Sequence, residues 1–558
     1  MNLDWVVGGD CVCLVGPGDS RKSTILDAVD LVLSPRWNVT FDDSDFFNAD
    51  TSAPLSISAT VGDLPEEWKS DDKFGLAVRG WSPAGDLHDE PAEGDEIVLT
   101  IRLQVDASLE PTWMVVNDRL PDGRPISARE RERLGCTRLG DFLDRHLTWS
   151  RGSVLARLTG DVEEIGGVLA EAGRAARKAV DIEKLPAAIR KVALDAQTVG
   201  AAVGVSPTSS YRPHLDTQAA SVGVGGLALH DGEVPVRRAG MGTRRLLTLG
   251  LQREAANAGG LVLVDEVEHG LEPHLIRRLL RTLRESHDDV AKRRGQVLMT
   301  THSPTVLAEL KAGDLRVVRC EGGATVVTVV PSDLQGIVLK AAEAFLGRRV
   351  IVCEGRTELG FCRGLNDWWS LEGMSFGYHG VALADGGGAS AAKMAVEMRG
   401  LGYPVLYLGD ADQEPAPTPA EMQAAGVEVL VWDGGVAFEQ RLALDLPWEG
   451  VAEMVMLAMD TWGEERVRAR VATELKVDIR TVPGDPSDWY ILPAGEAAVR
   501  AAVGLAAKKS GKGKKGWFKQ VDLAEPLAGL VRRHFGTVAG TDLGAKIASL
   551  KAWVELNG

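Results

Sequence analysis

Two short stretches pair acidic side chains with the kind of strand that could hold them still. Val350-Ile351-Val352-Cys353 runs into Glu354-Gly355-Arg356-Thr357-Glu358, and Val405-Leu406-Tyr407-Leu408 runs into Gly409-Asp410-Ala411-Asp412. Neither apolar run alternates with polar residues, which suits a parallel strand buried on both faces. Open α/β sheets carry their sites at the strand C-termini, where these acids fall. Asp410 and Asp412 are two apart, so an extended segment would send both side chains to one side. Glu358 lies one turn beyond Glu354, across the Gly355 bend. Four carboxylates gathered this way repel one another unless a divalent cation sits between them. Either stretch alone would read equally well as solvated acids at a strand end, and it is the pairing that favours a metal.

A second chemistry stands at the other end of the chain. The strand Val12-Cys13-Leu14-Val15 is followed by Gly16-Pro17-Gly18-Asp19-Ser20-Arg21-Lys22-Ser23-Thr24 and then by the amphipathic start Ile25-Leu26-Asp27-Ala28-Val29. Strand, Gly-rich loop, Lys-Ser and helix are the parts of a P-loop, whose backbone N–H groups and helix N-terminus hold phosphate oxygens. Lys22 would reach the β- and γ-phosphates of ATP, and the Ser23 hydroxyl would ligate one Mg²⁺. Arg21 occupies the place of the last Gly in GxxxxGK[ST]. If that backbone needs φ > 0, Arg costs on the order of 1 kcal/mol relative to Gly, and its guanidinium could add a phosphate contact. Further on, Gly240-Met241-Gly242 opens a helix, and the apolar strand Leu261-Val262-Leu263-Val264 ends in Asp265-Glu266. Asp265 would serve the Mg²⁺ and Glu266 the attacking water. The strand Val297-Leu298-Met299-Thr300 leads to His302, a γ-phosphate sensor or a simple capping histidine.

The elements between these motifs read more plainly. Residues 55–117 alternate as antiparallel strands with one solvated face. From about 129 to 205 a helical insertion is expected, with Val168, Leu169, Ala172, Ala175 and Ala176 at helical spacing, either packed or forming a dimer interface. Asp333 to Leu346 reads as a helix between an N-terminal domain, 1–341, and a C-terminal domain, 342–558. A length of 558 residues suits two or three domains. The net charge of -17 excludes a uniformly basic nucleic-acid coat, though not a local basic groove. The 6 cysteines form no CxxC pair, and no stretch reads as a leader or a membrane span, so a cytoplasmic protein with reduced thiols is expected.

Taken in order, Gly16–Thr24, Gly240–Arg245, Asp265-Glu266 and His302 resemble the Walker A, signature, Walker B and switch-histidine elements of ABC-type ATPases of the RecF, Rad50 and SMC group. Glu354 to Glu358, Asp385-Gly386-Gly387 and Asp410-Ala411-Asp412 resemble a Toprim metal site. An ABC ATPase followed by a Toprim domain is similar to the OLD (overcoming lysogenization defect) nucleases, over roughly residues 1 to 540. The resemblance implies an α/β protein that dimerises through its ATPase and cuts DNA at a site of two Mg²⁺ or Mn²⁺ ions, in anti-phage defence and with or without a partner such as a helicase. By position it implies Glu354, Glu358, Asp410 and Asp412 as metal ligands, with Glu439 joining them and Asp433 a weaker candidate. A further cation would sit near the scissile phosphate. Lys508 to Lys519 carries six lysines in twelve residues, a solvated loop for the first four, whereas Lys515 and Lys519, flanking Trp517-Phe518, read as phosphate contacts or a transition-state cation. Lys519 resembles the late lysine of the family. The rival of another class is a non-nucleolytic ATPase scaffold of the RecF or SMC kind; a topoisomerase is disfavoured by only 5 tyrosines and no visible cleavage domain.

Overall fold

The computed structural model describes residues 2–36, 38–139, 143–150, 153–159, 163–179, 184–202, 205, 208–213, 227–255, 260–284, 295–508 and 516–556. Lys515 lies outside the described residues. The chain divides into two compact units, Met1–Thr24 with Thr300–Gly558, and Ile25–Met299. The domain joint expected at 341/342 thus falls inside the first unit.

Strand β1 (Cys11–Val15) is buried throughout and leads through the glycine-rich loop into helix α1 (Lys22–Leu33). In the Ile25–Met299 unit the alternating sequence forms the antiparallel set expected: β2 (Leu55–Val61) pairs with β3 (Glu96–Val105), which pairs with β4 (Pro111–Val116). Its inner face supplies Leu99, Ile101, Leu103 and Val115 to the core. Arg131 ties this sheet to the end of α1, donating to the Ser34 carbonyl at 3.1 Å while its guanidinium lies 4.2 Å from the Trp113 ring.

The stretch expected to be a helical insertion holds a short strand as well as helices. Thr137–Leu139 is a strand, β5, parallel to β6 (Leu261–Val264), which pairs in turn with β7 (Gln296–Thr300). Three residues are too short for a period to register, and sheet pairing decides their conformation. Helices α2 (Glu163–Ala179) and α3 (Ala187–Ala202) follow, then α4 (Met241–Ala255). Val168, Ala172 and Ala175 on α2, and Ile189, Val192, Leu194 and Val199 on α3, are exposed rather than packed within this chain.

In the other unit β8 (Leu315–Glu321) runs parallel to β1 and antiparallel to β9 (Ala324–Val329). The expected linking helix is real but broken, with one regular segment at Gln335–Lys340 between two 3₁₀ turns. Beyond it stands a wholly parallel sheet: β10 (Arg349–Cys353), β11 (Val381–Asp385), β12 (Val405–Gly409) and β13 (Glu428–Val431), in the order β11-β10-β12-β13. Helices α5 (Arg356–Ser370), α6 (Ala391–Gly400) and α7 (Phe438–Asp445) follow β10, β11 and β13. The order reverses between β10 and β12, and such a reversal opens a crevice at the strand C-termini. Later helices α8 (Glu496–Lys508) and α9 (Val521–Arg533) complete the core around Trp369, Trp489 and Trp517. Helix α5 meets α9 through Gly360 and Gly364, where a Cβ would come within 2.4 Å of the Val521 carbonyl and 2.3 Å of that of Glu525.

Candidate functional site

The acids expected at strand ends do converge. Glu354 follows β10 at the reversal, and its Oε2 accepts hydrogen bonds from the Asp410 N–H at 2.8 Å and the Tyr407 hydroxyl at 3.2 Å. Glu358 sits in the first turn of α5, where its Oε2 caps the Gly355 N–H at 2.9 Å, while its Oε1 is buried with no hydrogen-bond partner. Asp410 accepts from the Phe438 N–H, the first amide of α7, at 2.7 Å. Glu439, next along α7, is fully buried and keeps an unpartnered Oε2.

Asp410 and Asp412 do not leave an extended strand side by side. The chain bends at 411–413, so Asp412 instead meets the Lys508 ammonium at the end of α8. A Gly-Asp-Ala sequence after a buried strand has no backbone requirement for continued extension. Asp433 stands apart from the others, exposed and paired with Lys546 at 3.2 Å. Asp385, at the end of β11, accepts from the Gly387 N–H at 2.9 Å.

Lysines now enter where a cation was expected. Lys519 Nζ lies 2.9 Å from Glu439 Oε1. Its place is set by Trp517 and Phe518, which are core side chains; the Trp517 backbone N–H donates to the Ala507 carbonyl at 2.8 Å. Thr357 Oγ1 donates to the Phe518 carbonyl at 3.2 Å, so α5 and the lysine segment are tied together. Lysine charge therefore does part of what only a metal was expected to do. Among the described residues no three His, Cys, Asp or Glu side chains form a ready metal-ligating group.

Electrostatics follow from this crowding. Burial, then Glu439 and Glu354, push Glu358 up to about 7 against the opposing pull of Lys519. Asp410 is raised to about 9 by burial and by Glu358 and Glu439. Burial alone would lower Lys519, but Glu439 and Glu358 outweigh it and hold the ammonium charged. A buried carboxylate oxygen left without a donor is costly. The unpartnered oxygens of Glu358 and Glu439, both carboxylate, are hard donors of the type that Mg²⁺ and Mn²⁺ take.

The glycine-rich loop after β1 has its own internal order. Gly16 has φ +142° and lies so close to β8 that a Cβ would fall 2.5 Å from the Val318 carbonyl. Buried Lys22 donates to the carbonyls of Gly16 (3.1 Å) and Pro17 (2.7 Å) and to Ser20 Oγ (3.1 Å). Arg21 adopts φ +71°, the left-handed backbone that the missing glycine implied. Its guanidinium does not turn to the loop interior: it donates to the Gly323 carbonyl at 2.9 Å and Thr325 Oγ1 at 3.1 Å, on the β8–β9 hairpin. Gly18, Ser23 and Thr24 are exposed, as is His302 beyond β7.

In the Ile25–Met299 unit, Asp265 follows β6 and pairs with Arg138 of β5 at 3.2 Å. Glu266 has φ +46°, a strained setting for a non-glycine residue, and its Oε2 is 3.4 Å from His269 Nδ1. Arg245 of α4 holds both carbonyls, at 2.5 Å for Asp265 and 2.7 Å for Glu266. Gly242 at the start of α4 approaches the Gly270 carbonyl, 2.9 Å from where a Cβ would stand, while Gly240 has open space. Sequence reasoning missed Arg138 and Tyr407. Nothing in a short Thr-Arg-Leu run signals the first, whereas a hydroxyl inside an otherwise apolar strand that ends in acids marks the second.

A glycine-rich loop between strand and helix, and an Asp-Glu ending a second parallel strand, are the parts of a P-loop ATPase domain, for which ATP and Mg²⁺ are implied. Residues 141–308 match the family model described as "AAA domain, putative AbiEii toxin, Type IV TA system". No curated protein matches the chain. Solved structures similar to it include an SMC head bound to the C-winged helix domain of ScpA, with 15% identity over 57% of this chain and 90% of that one at TM-score 0.31. Another is the SMC head domain from Thermotoga maritima, with 12% identity over 58% and 91% at TM-score 0.25. Among the described residues no helix is long and apolar enough to cross a membrane.

Proposed function

We propose that this protein is an ATP-binding, divalent-metal-dependent DNA endonuclease or nickase of the OLD type, with an ATPase domain over 1–341 and a Toprim nuclease domain over 342–558. The observation that carries the reading is the pair of buried, unpartnered carboxylate oxygens on Glu358 and Glu439, beside Glu354 and Asp410 at the reversal of a parallel sheet. Glu354, Glu358, Asp410, Asp412 and Glu439 would hold two Mg²⁺ or Mn²⁺ ions, and Asp433 is the weakest member of the set. Such ions activate a water and stabilise the leaving oxygen of a phosphodiester.

The protein's own groups supply the rest. Lys519, charged and fixed by its buried neighbours, would neutralise a phosphate oxygen once Glu439 has another partner. Lys22, Ser23 and Thr24 would take the ATP phosphates, with Asp265 and Glu266 serving the metal and the water, and His302 sensing the γ-phosphate. A homodimer built on the ATPase domain, a helicase-like partner and a role in anti-phage defence belong to this reading.

The test is cleavage of supercoiled plasmid with Mg²⁺ or Mn²⁺, with and without ATP, comparing wild type with Asp410→Ala. Nicking or linearisation lost in the variant supports the nuclease. A second reading, an ATPase scaffold of the RecF or SMC kind acting with a partner protein, is favoured by the lysines that already fill the acid site. No cleavage by folded wild type under any of these conditions would select it.

A further inference from the structure

We infer that Tyr407 is a positioning residue for the acid site, its hydroxyl fixing the plane of the Glu354 carboxylate that a divalent cation would share. The inference rests on the metal-dependent reading above. Tyr407 lies mid-strand in β12, 1% exposed, opposite Val352 and Val429 on its two neighbours. At a position walled by apolar strands a phenylalanine would fill the same volume without a polar atom to satisfy. The hydroxyl is therefore an added cost unless it has a partner. Its partner is Glu354 Oε2, at 3.2 Å, and the same oxygen accepts the Asp410 N–H at 2.8 Å.

Two donors on one oxygen define the carboxylate plane and fix the direction of Oε1. A carboxylate on a strand-to-helix turn otherwise rotates about its last bond, and a ligand that rotates has to be ordered whenever a metal binds. The backbone makes room for this contact. A Cβ at Gly409 would lie 2.4 Å from the Tyr407 hydroxyl oxygen and 2.7 Å from Glu354 Oε2. Position 409 is thus empty where the hydroxyl and the carboxylate meet. Two separate features, a hydroxyl in an apolar strand and a missing side chain beside it, serve one hydrogen bond.

The experiment measures Mn²⁺ binding to the full chain by electron paramagnetic resonance, without DNA, for wild type, Tyr407→Phe and Gly409→Ala, together with metal-free melting temperatures. Tyr407→Phe is expected to weaken Mn²⁺ roughly 10- to 100-fold, in the range for lost outer-shell partners, with its melting temperature close to wild type. In the plasmid assay the same variant is expected to need more Mn²⁺ for half-maximal cleavage and to recover at saturation. Gly409→Ala is expected to weaken Mn²⁺ at least as much. Unchanged Mn²⁺ affinity in Tyr407→Phe overturns the inference, whatever happens to its melting temperature. Wild type that binds no Mn²⁺ removes the metal reading and this inference together. Wild type that binds Mn²⁺ but leaves plasmid intact removes only the nuclease, and the affinity comparison still decides the role of Tyr407.

Discussion

The glycine-rich loop and the acid site each hold a lysine, and the two lysines stand in opposite relations to the ligand expected. Lys22 donates to the Gly16 and Pro17 carbonyls and to the Ser20 hydroxyl. An incoming phosphate carries the sign opposite to that of Lys22, so lysine and ligand would cooperate. Lys519 already has its counter-ion in Glu439. An incoming metal would carry the same sign as Lys519, so the two would compete for one carboxylate. In the loop an anion would meet a cation, whereas in the acid cluster one of the protein's own lysines stands where a metal would bind. The second arrangement lets a cluster of buried acids fold without metal, and a metal that bound there would have to exchange with the lysine.

The largest effect expected comes from removing each lysine. Lys22→Ala should abolish ATP binding by fluorescent-nucleotide titration while leaving the melting temperature nearly unchanged. Lys519→Met should lower metal-free stability by about 1–3 kcal/mol, because it leaves Glu439 buried without its partner. Mn²⁺ should restore more stability to that variant than to wild type, while cleavage stays lost. If Mn²⁺ stabilises both proteins equally, lysine and metal do not compete and the contrast collapses.

Glu358→Gln sharpens the same point on the acid side. It removes a carboxyl whose ionisation burial resists, so the metal-free protein should melt no lower than wild type while cleavage falls at least about 100-fold. A destabilised, fully active variant would place Glu358 in structure rather than chemistry.

Next in size is pH. Glu358 and Asp410 are raised to about 7 and about 9, so the folded chain binds their protons more tightly than the unfolded chain. As pH climbs from about 4, the unfolded state ionises first and the metal-free fold loses stability. That loss levels off past about 7 for Glu358 and about 9 for Asp410. Metal has to displace the same protons, so Mn²⁺ affinity should rise between pH 6 and pH 9, read by the same resonance titration. ATP affinity, which would rest on the glycine-rich loop rather than on buried carboxyls, should change far less across that range. Equal pH slopes at the two sites would contradict the contrast.

The smallest effect expected is at Arg21. Arg21→Gly relieves a left-handed backbone worth on the order of 1 kcal/mol but loses two hydrogen bonds to the hairpin. Stability should barely move. ATP turnover should rise if the hairpin restrains the loop, and unchanged turnover would remove that restraint from the account.

Much of this was legible in the chain because it depends on order and type rather than on distance. Apolar runs that end in Glu354 and Asp410 announce buried parallel strands with acids at one edge, and the parallel sheet bears that out. The Gly16–Thr24 loop was readable, down to a positive φ at Arg21. What the chain hid depends on contacts between distant residues. The direction taken by the Arg21 guanidinium is set by Gly323 and Thr325. The partner of Asp412 is Lys508, a lysine that reads as loop charge until the end of α8 is known. The bend after Asp410 broke a same-side argument that holds only for extended chain, and strand Thr137–Leu139 was too short to show a period.

The pairing of β1 with β8 has a consequence for synthesis. Cys13 stands opposite Leu315 in register, so the apolar strand at Cys11–Val15 gains this neighbour only when the chain has grown past residue 315. At about 5–20 residues per second on a ribosome, that is a delay of roughly 15–60 seconds. Through that interval Cys11–Val15, buried in the finished protein, is a sticky segment on a nascent chain. Its production in cells should be more sensitive to chaperone supply than that of a protein whose strands pair with near neighbours in sequence.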